Sequence, residues 1–488
     1  MLPATRLSNN AQGGAAEMVE GSGSAKGNTA SKPRPGRRAG QGALSALGRV
    51  RQVASKDKEA QFTALLHHVD VDRLREAYFV LRPKAAPGVD GVTWADYGSD
   101  LEGNLSDLHA RVHRGAYRAR PSRRVFIPKP DGRQRPLGVA SLEDKILQRA
   151  LVEVLNAIYE QDFLGFSYGF RPGRSPHHAL DALAAGIVGE KVNWVLDADI
   201  SDYFSSLDHQ WLERFLEHRI ADQRVLRLIG KWMAAGVIEN GSWTAYEQGV
   251  PQGASVSPLL ANVYAHYVLD LWAHQWRTRH AHGDMIIVRW ADDFVVGFEH
   301  REDAERFWAE LRDRLAKFNL ELNAEKTRLI EFGRYATRDR RARGLGKPET
   351  FRFLGFMHVC AKTRKSGRFK LKRITDSKRV RAKLLAVKDE MARRRHLPIP
   401  EQGRWLARVL QGHFNYYAVP DNSQALSAFR REIIRYWLKS LRRRSQRNTM
   451  TWQRMGHLAD RWLPRPRILH PWPEQRFAAT TQGGSPVR

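Results

Sequence analysis

Two adjacent carboxylates stand between two apolar, β-rich runs in the middle of the chain. Residues 285–298 read Met-Ile-Ile-Val-Arg-Trp-Ala-Asp-Asp-Phe-Val-Val-Gly-Phe, which predicts a hairpin with Asp292 and Asp293 at its tip. Neighbouring like charges repel, and a divalent cation bound to them would remove that cost. Because Asp also suits ordinary turns, the hairpin alone leaves a plain turn and a metal site both open.

An earlier strand ends in carboxylates as well. Apolar and polar side chains alternate in residues 192–200, so Asp197 and Asp199 are predicted on one face of a strand, at its C-terminal end. If this strand and the hairpin share a sheet, Asp199, Asp292 and Asp293 supply oxygen ligands for two Mg²⁺ ions. Two such ions stabilise the attacking and leaving oxygens of a phosphoryl displacement. No chemistry is assigned to Asp197.

The chain is strongly basic, and its positive charge is unevenly distributed. The 81 Lys and Arg residues against 52 Asp and Glu give a net charge of +29 over 488 residues. Residues 1–58 carry +7, residues 59–360 carry −1 and residues 361–488 carry +23. Nucleic acid is the polyanion that best suits such a chain. We therefore expect the carboxylate chemistry in the middle and polyanion binding towards the C-terminus.

The composition excludes several classes of protein. The single cysteine, Cys360, rules out an intramolecular disulfide framework and a Cys-rich zinc module. The sequence has no run of 18 apolar residues, and its first residues lack the apolar stretch of a secretory signal. These features predict a cytoplasmic protein with no membrane partner.

An ordered series of motifs resembles the reverse transcriptases encoded by bacterial group II introns, over about residues 62–477. The order is more specific than any one motif. Beside Asp199, Asp292 and Asp293, the motifs are Ile-Pro-Lys-Pro-Asp-Gly (127–132) with Arg-Pro-Leu-Gly (135–138), Ser-Tyr-Gly-Phe-Arg-Pro-Gly-Arg-Ser (167–175), Gln-Gly-Val-Pro-Gln-Gly-Ala-Ser-Val-Ser-Pro-Leu-Leu (248–260), Asn-Ala-Glu-Lys-Thr (323–327), Phe-Leu-Gly-Phe (353–356) and Gly-His-Phe-Asn-Tyr-Tyr (412–417).

The resemblance implies an α+β right-hand polymerase, with an antiparallel palm sheet and an α-helical thumb. It assigns residues 109–357 to the fingers and palm and residues 370–463 to the thumb or maturase domain. Residues 1–58, rich in Gly, Ser, Ala and Asn without visible periodicity, predict a mostly disordered basic leader. Residues 59–108 predict an N-terminal extension, with a helix over 59–82 and then a turn-rich loop. Residues 464–488 form a Pro- and Arg-rich tail, whose Pro content predicts no helix over 462–473.

The resemblance also implies roles around the carboxylates. Asp199, Asp292 and Asp293 are the catalytic residues, and with the backbone carbonyl of Ile200 they bind two Mg²⁺ ions, for which Mn²⁺ is a substitute. The nucleotide-binding residues are Phe204, Lys129, Arg135, Gln252 and Lys326. In this interpretation Lys129, Arg135 and Lys326 meet the triphosphate, Lys326 is also a candidate general acid, and Phe204 excludes a 2′-hydroxyl from beneath the sugar. An ordinary core role for Phe204 stays open.

Two features depart from the family pattern. Trp290 stands where the family usually has Tyr, so an aromatic platform at the primer end is kept without its hydroxyl. About 25 residues follow Leu463 and none is Cys, so no C-terminal endonuclease module is expected.

Three basic amphipathic helices are predicted over 376–395, 402–417 and 424–444. In the third, Phe429, Ile433, Trp437 and Leu441 form an apolar stripe, and cationic side chains cover the remainder. The side chains expected to contact nucleic acid there are Arg430, Arg431, Arg435, Arg442, Arg443 and Arg444. Calmodulin-like or membrane-surface binding is the alternative for such a helix.

The predicted function is RNA-directed DNA synthesis from deoxynucleoside triphosphates, on an RNA template with a DNA primer. By resemblance, the chain also acts as a maturase on a group II intron RNA, takes part in the intron's mobility into target DNA, and belongs to a nucleoid-associated ribonucleoprotein. The alternatives are a domesticated or defence-associated reverse transcriptase without an intron, a polymerase-inactive RNA-binding maturase, and a chromatin-like basic binder.

Overall fold

In the computed structural model the described residues are 45–128, 134–245, 248–444 and 450–480, with side chains as far as Arg476. The predicted leader up to residue 44, the side chain of Lys129 and the tail beyond residue 480 lie outside them. Within these ranges, no helix is both long enough and apolar enough to cross a membrane.

Helices and strands alternate irregularly along the chain. The helices of the first half are α1 (Ala46–Lys56), α2 (Val71–Val80), α3 (Trp94–Gly98), α4 (Leu101–His113), α5 (Leu142–Asp162), α6 (Pro176–Gly189), α7 (Tyr203–Ser206), α8 (His209–Glu217) and α9 (Gln223–Ala234). Those of the second half are α10 (Ser257–Ala265), α11 (Leu271–Arg279), α12 (Arg301–Ala316), α13 (Ala336–Ala342), α14 (Ser377–Arg393), α15 (Ile399–Tyr417), α16 (Ser423–Arg442), α17 (Trp452–Trp462) and α18 (Pro473–Thr480).

The strands in the described part of the chain form three small sheets. They are β1 (Ser122–Pro128), β2 (Gln134–Val139), β3 (Trp194–Asp199), β4 (Val237–Glu239), β5 (Ser242–Thr244), β6 (Met285–Trp290), β7 (Asp293–Phe298), β8 (Arg328–Glu331), β9 (Phe351–Phe353), β10 (Phe356–Lys362) and β11 (Phe369–Thr375). The sheet orders are β2-β1-β4-β5, β6-β7-β3-β8 and β11-β10-β9. The mixed α+β class is confirmed.

The second of these, the central sheet, is antiparallel throughout, as predicted. Its strands are buried on both faces. One face shares a core with α6, through side chains such as Val195, Ile286 and Val288. The other face packs with α5, α10 and α12, through Leu196, Phe294 and their neighbours. Because side chains alternate along a strand, this double burial fixes the register of each strand.

The predicted disordered leader is wrong in its last part, because residues 46–56 form α1. Ser45 accepts a hydrogen bond from the backbone N–H of Gly48 (3.1 Å), which caps the helix. Leu47, Val50 and Ala54 are buried against α5. Three apolar residues at helical spacing suffice for this contact. They are too few, within a sequence rich in Gly, Ser and Ala, to predict a helix.

The helix predicted over 59–82 is shorter in the structure. Asp70 accepts from the backbone N–H of Arg73 at 2.8 Å and so begins α2, after a 3₁₀ turn at Leu66–His68. Phe62 instead forms a β-bridge with Ile220. Long-range pairing therefore overrides the apolar periodicity that predicted one continuous helix.

The C-terminal region is a helical bundle, and the three predicted helices are confirmed as α14, α15 and α16. The stripe of Phe429, Ile433, Trp437 and Leu441 is fully buried against α14 and α15. The fourth helix, α17, closes the bundle. Burial of the stripe removes the apolar face that calmodulin-like or membrane-surface binding would need.

The tail returns from the bundle to α6. The backbone N–H of Leu469 donates to the carbonyl of Ala418 (2.9 Å), and α18 then packs on α6. There Arg476 pairs with the buried Asp181 at 3.2 Å, and Arg373 of β11 pairs with the same carboxylate at 2.6 Å. The Pro-rich stretch forms no helix, as predicted, but a helix follows it and ties the bundle to the central sheet.

Candidate active site

The catalytic candidates come together at one end of the central sheet. Asp199 at the end of β3 is the cross-strand partner of Asp293 at the start of β7. The backbone N–H of Ile200 donates to the carbonyl of Asp292 at 3.2 Å. Ala291, with a φ of +57°, makes the sharp tip of the hairpin. The structure thus brings the three carboxylates and Ile200 together, as the sequence predicted.

Burial and mutual repulsion dominate the electrostatics of this cluster. Burial raises the pKa of the Asp292 carboxyl, and the charge of Asp199 adds to the effect. The pKa of Asp293 is raised well above its usual value by burial and by the charges of Asp197 and Asp199. Burial raises the pKa of Asp197 to about 6, against the opposing charge of Arg328. Asp197, Asp292 and Asp293 are therefore costly to ionise together at this end of the sheet.

A divalent metal fits this donor chemistry, since Mg²⁺ prefers carboxylate and carbonyl oxygens. Among the described residues, however, no three His, Cys, Asp or Glu side chains are arranged as a ready metal cluster. The carboxylates of Asp199 and Asp197 instead meet cations: Lys326 lies 2.6 Å from Asp199 and Arg328 lies 3.5 Å from Asp197. The two-metal assignment stays a prediction that rests on the donor set.

A buried arginine supports the hairpin from behind, and the sequence reasoning missed it. Arg289, fully buried on β6, pairs with the equally buried Asp270 at 2.6 Å. It also donates to Ser167 Oγ (2.7 Å) and to the carbonyl of Ala291 (3.0 Å) at the tip. The signal was available, because a charged residue inside an apolar strand requires a buried partner.

We expect Asp270→Ala to lower the free energy of unfolding by about 3–5 kcal/mol, because it leaves the Arg289 charge buried and unpaired. Urea unfolding followed by circular dichroism measures this change. The control is Glu305→Ala, which breaks the exposed pair with Arg301 (2.7 Å) and should cost less than about 1 kcal/mol. Equal effects of the two substitutions would show that the buried network does not stabilise the fold.

The nucleotide-binding candidates surround the carboxylates. Burial raises the pKa of Asp292, and the positive charge of Arg135 on β2 partly offsets that rise, so this guanidinium acts on the same site. The loop at 248–256 docks on β2, where the N–H of Gly138 donates to the carbonyl of Gln252 at 2.7 Å. Gly253 allows this approach, because it has a φ of +107° and a Cβ there would lie 2.7 Å from the carbonyl oxygen of Gly138.

The same loop also packs on α7. The N–H of Val250 donates to the carbonyl of Phe204 (2.8 Å), and Gln252 Nε2 lies 3.4 Å from Ser205 Oγ. The Phe204 ring is half-buried, so part of it is accessible to a bound nucleotide. Trp290 is half-buried beside the tip of the hairpin. Lys326 thus contacts Asp199, and Gln252 and Phe204 lie where the 248–256 loop packs on α7, while Lys129 lies outside the described residues.

The arginines predicted to bind nucleic acid divide into two groups. Three of them donate to backbone carbonyls: Arg430 to Pro464 (3.1 Å), Arg444 to Arg395 (2.6 Å) and Arg442 to Met450 (2.9 Å). These contacts satisfy carbonyls near helix ends. The nucleic-acid role of the three arginines stays a prediction. Arg431, Arg435 and Arg443 are exposed, as is Arg442, and Arg435 pairs with Glu432 at 2.6 Å.

Comparison with known proteins decides the family. Residues 127–358 match the family model described as reverse transcriptase (RNA-dependent DNA polymerase). Protein YkfC of Escherichia coli K12 is 35% identical over an alignment that covers 50% of this chain and 72% of YkfC. The chain belongs to the reverse transcriptase family.

Other relatives of this reverse transcriptase are encoded in introns. The group II intron-encoded protein LtrA of Lactococcus lactis is 31% identical over 47% of this chain and 39% of LtrA. An uncharacterized 91 kDa protein in the cob intron of Schizosaccharomyces pombe is 42% identical over 30% of this chain and 18% of its own length. This chain thus covers less than half of each of these two relatives. The predicted resemblance to group II intron-encoded reverse transcriptases is confirmed.

The match identifies the parts of the enzyme. The chain is an RNA-directed DNA polymerase, which contradicts the alternative of a chromatin-like basic binder. The matched residues contain β2, the central sheet and the Asp292–Asp293 hairpin, which fit the fingers and palm of the family.

Proposed function

We propose that this reverse transcriptase extends a DNA primer on an RNA template, with Asp199, Asp292 and Asp293 as its catalytic carboxylates. The observation that carries the proposal is the β3–β7 register, which pairs Asp199 with Asp293 and sets Asp292 beside Ile200. Asp199 and Asp292, with the carbonyl of Ile200, would hold two Mg²⁺ ions, and Mn²⁺ is a substitute of the same hard character. When bound, such ions stabilise the charge that develops on the reacting phosphate oxygens.

The protein's own cations surround the position of the triphosphate. Lys326 lies 2.6 Å from Asp199, and the charge of Arg135 on the fingers hairpin acts on Asp292. Both would offset the negative charge that builds on the leaving pyrophosphate. Lys326 is also the candidate general acid that would deliver a proton to that group. Lys129 is assigned the same role as Arg135 on sequence resemblance, and Gln252 is assigned to the nucleotide because its loop packs on both β2 and α7.

Phe204 is proposed to select the sugar. We expect Phe204→Ala to lower the preference for deoxynucleotides over ribonucleotides by about tenfold or more, since a ring that blocks a 2′-hydroxyl acts by steric exclusion. The measurement is kcat/KM for dTTP against UTP on a poly(rA)/oligo(dT) substrate. An unchanged ratio would return Phe204 to a structural role.

A maturase function is proposed for the basic C-terminal part. Residues 361–488 carry a net charge of +23, and the bundle α14–α17 presents Arg431, Arg435 and Arg443 on its surface. We infer that this bundle is the thumb, that it grips a group II intron RNA and the template–primer duplex, and that the ribonucleoprotein recognises target DNA and lies at the nucleoid. LtrA is a group II intron-encoded protein, which supports the choice of a group II intron RNA. An intron ribozyme flanking the reading frame would favour this proposal over a reverse transcriptase without an intron.

A further inference from the structure

Phe170 has a backbone conformation that a bulky residue rarely adopts. Its φ is +59°, in the left-handed region that favours glycine. Its side chain is nevertheless 49% exposed, so burial of the ring does not repay the strain. Such strain persists where the neighbouring structure fixes the backbone, and it concentrates at functional sites.

The residues on both sides of Phe170 are fixed. Gly169 packs so closely on the catalytic hairpin that a Cβ would lie 2.5 Å from the nitrogen of Ala291. Its carbonyl accepts from Asn262 Nδ2 at 2.7 Å. Arg171, on the other side, is buried and donates to the carbonyl of Ser167 (2.8 Å) and to Glu160 (3.0 Å). The position of Phe170 is therefore set by the same segment that supports the hairpin tip.

The ring of Phe170 meets Phe204. The two ring centres are 6.2 Å apart and the rings are nearly perpendicular, at 78°, which is a favourable edge-to-face geometry. Tyr203, itself buried and bonded through its hydroxyl to the carbonyl of Ala261 (2.5 Å), contacts the Phe204 ring at 5.8 Å. The half-buried Phe204 ring thus has one neighbour in the core and one at the surface.

A steric test for a 2′-hydroxyl works only if the testing ring cannot rotate away. Half-exposed side chains change rotamer readily, on a timescale far shorter than a catalytic cycle. We propose that Phe170 is a positioning residue for sugar selection, whose ring holds the Phe204 ring beneath the incoming nucleotide. This inference rests on the proposed role of Phe204 as the sugar-selecting residue.

The test is a double-mutant cycle on the full chain. For wild type, Phe170→Ala, Phe204→Ala and the double variant, kcat and KM are measured for dTTP and UTP on poly(rA)/oligo(dT). We expect Phe170→Ala to lower the dTTP/UTP ratio of kcat/KM by about 2- to 10-fold, the range that one aromatic contact supplies. The change should come chiefly from UTP, with kcat for dTTP little altered. The double variant should have a dTTP/UTP ratio of kcat/KM no lower than that of Phe204→Ala alone, because Phe170 acts only through the Phe204 ring.

Three further variants separate positioning from folding. Phe170→Tyr keeps the ring and should retain the wild-type ratio. Phe170→Gly removes both the ring and the φ strain, so it should lose discrimination while unfolding at a temperature no lower than that of Phe170→Ala. Phe79→Ala removes another exposed ring, 61% exposed on α2, and should change nothing in the ratio.

The outcomes distinguish the two claims. If Phe204→Ala lowers the ratio and Phe170→Ala does not, the positioning role is overturned and the sugar-selecting role of Phe204 stands. If Phe204→Ala itself leaves the ratio unchanged, the proposed sugar site fails and the inference fails with it. An equal loss of kcat/KM for dTTP and UTP in Phe170→Ala, with the ratio intact, would make Phe170 a template or primer contact and would also overturn the proposal.

Discussion

Asp292→Ala and Asp293→Ala should each slow primer extension on poly(rA)/oligo(dT) by about a thousandfold or more. Each substitution removes a carboxylate from the end of the central sheet, where the proposed metal ligands meet across β3 and β7. A loss of several kcal/mol of transition-state stabilisation corresponds to a rate effect of this size. Single-turnover extension with dTTP measures it.

Asp197→Asn is the matched control for these variants. Asp197 lies on the same strand and face as Asp199, two residues earlier, but its carboxylate meets Arg328 at 3.5 Å and no chemistry is assigned to it. The amide keeps the shape and the contact with Arg328, so extension should stay within about tenfold of wild type. Loss of extension in Asp197→Asn, with near-normal extension in both alanine variants, would overturn the assignment of the carboxylates.

RNA binding should depend steeply on salt, and three exposed arginines should carry part of that dependence. Each phosphate contact contributes a slope of roughly 0.7–0.9 in log K against log salt. Changing Arg431, Arg435 and Arg443 together to Gln should flatten the slope by up to about two units. Between 50 and 200 mM salt, such a change alters the loss of affinity by about tenfold. Filter binding of intron RNA across a salt series measures both quantities.

Three arginines of the same segment that bond to the backbone of the bundle supply the control for this experiment. Changing Arg430, Arg442 and Arg444 to Gln removes the same charge, but these side chains donate to backbone carbonyls in the bundle. This variant should lower the unfolding temperature, and it should flatten the salt slope less than the change of Arg431, Arg435 and Arg443 does. In-vitro splicing should fail with the exposed-arginine variant and persist with the Asp292→Ala, Asp293→Ala double variant. The reverse pattern would contradict the proposed division between RNA grip and polymerisation.

Local patterns predicted the elements that carry the chemistry. Strand alternation placed Asp199 at the end of β3, and two apolar runs placed Asp292 and Asp293 on a hairpin, because both signals depend on neighbours in sequence. The apolar stripe of α16 was equally visible. The existence of these elements therefore follows from the sequence alone, whereas their shared sheet was an inference from chemistry and resemblance.

What the sequence did not reveal depends on distant partners. Arg289 pairs with Asp270, and Arg430 donates a hydrogen bond to the carbonyl of Pro464. Both partners are distant in the sequence, so no pattern of neighbouring residues predicts either contact. A cationic helix face looks alike whether its arginines meet phosphates or helix ends. Helix α1 was missed because only three residues make its contact with α5, and α18 because it follows a Pro-rich stretch.

Primer extension and template–primer binding, measured on the same protein samples, test the central claim most directly. Wild type should extend oligo(dT) on poly(rA) with dTTP in Mg²⁺ and stop when EDTA removes the metal. Asp292→Ala should bind the same template–primer with unchanged Kd and make no product. Extension by Asp292→Ala at the wild-type rate, or metal-independent extension by wild type, would contradict the account of a carboxylate-centred, RNA-directed DNA polymerase.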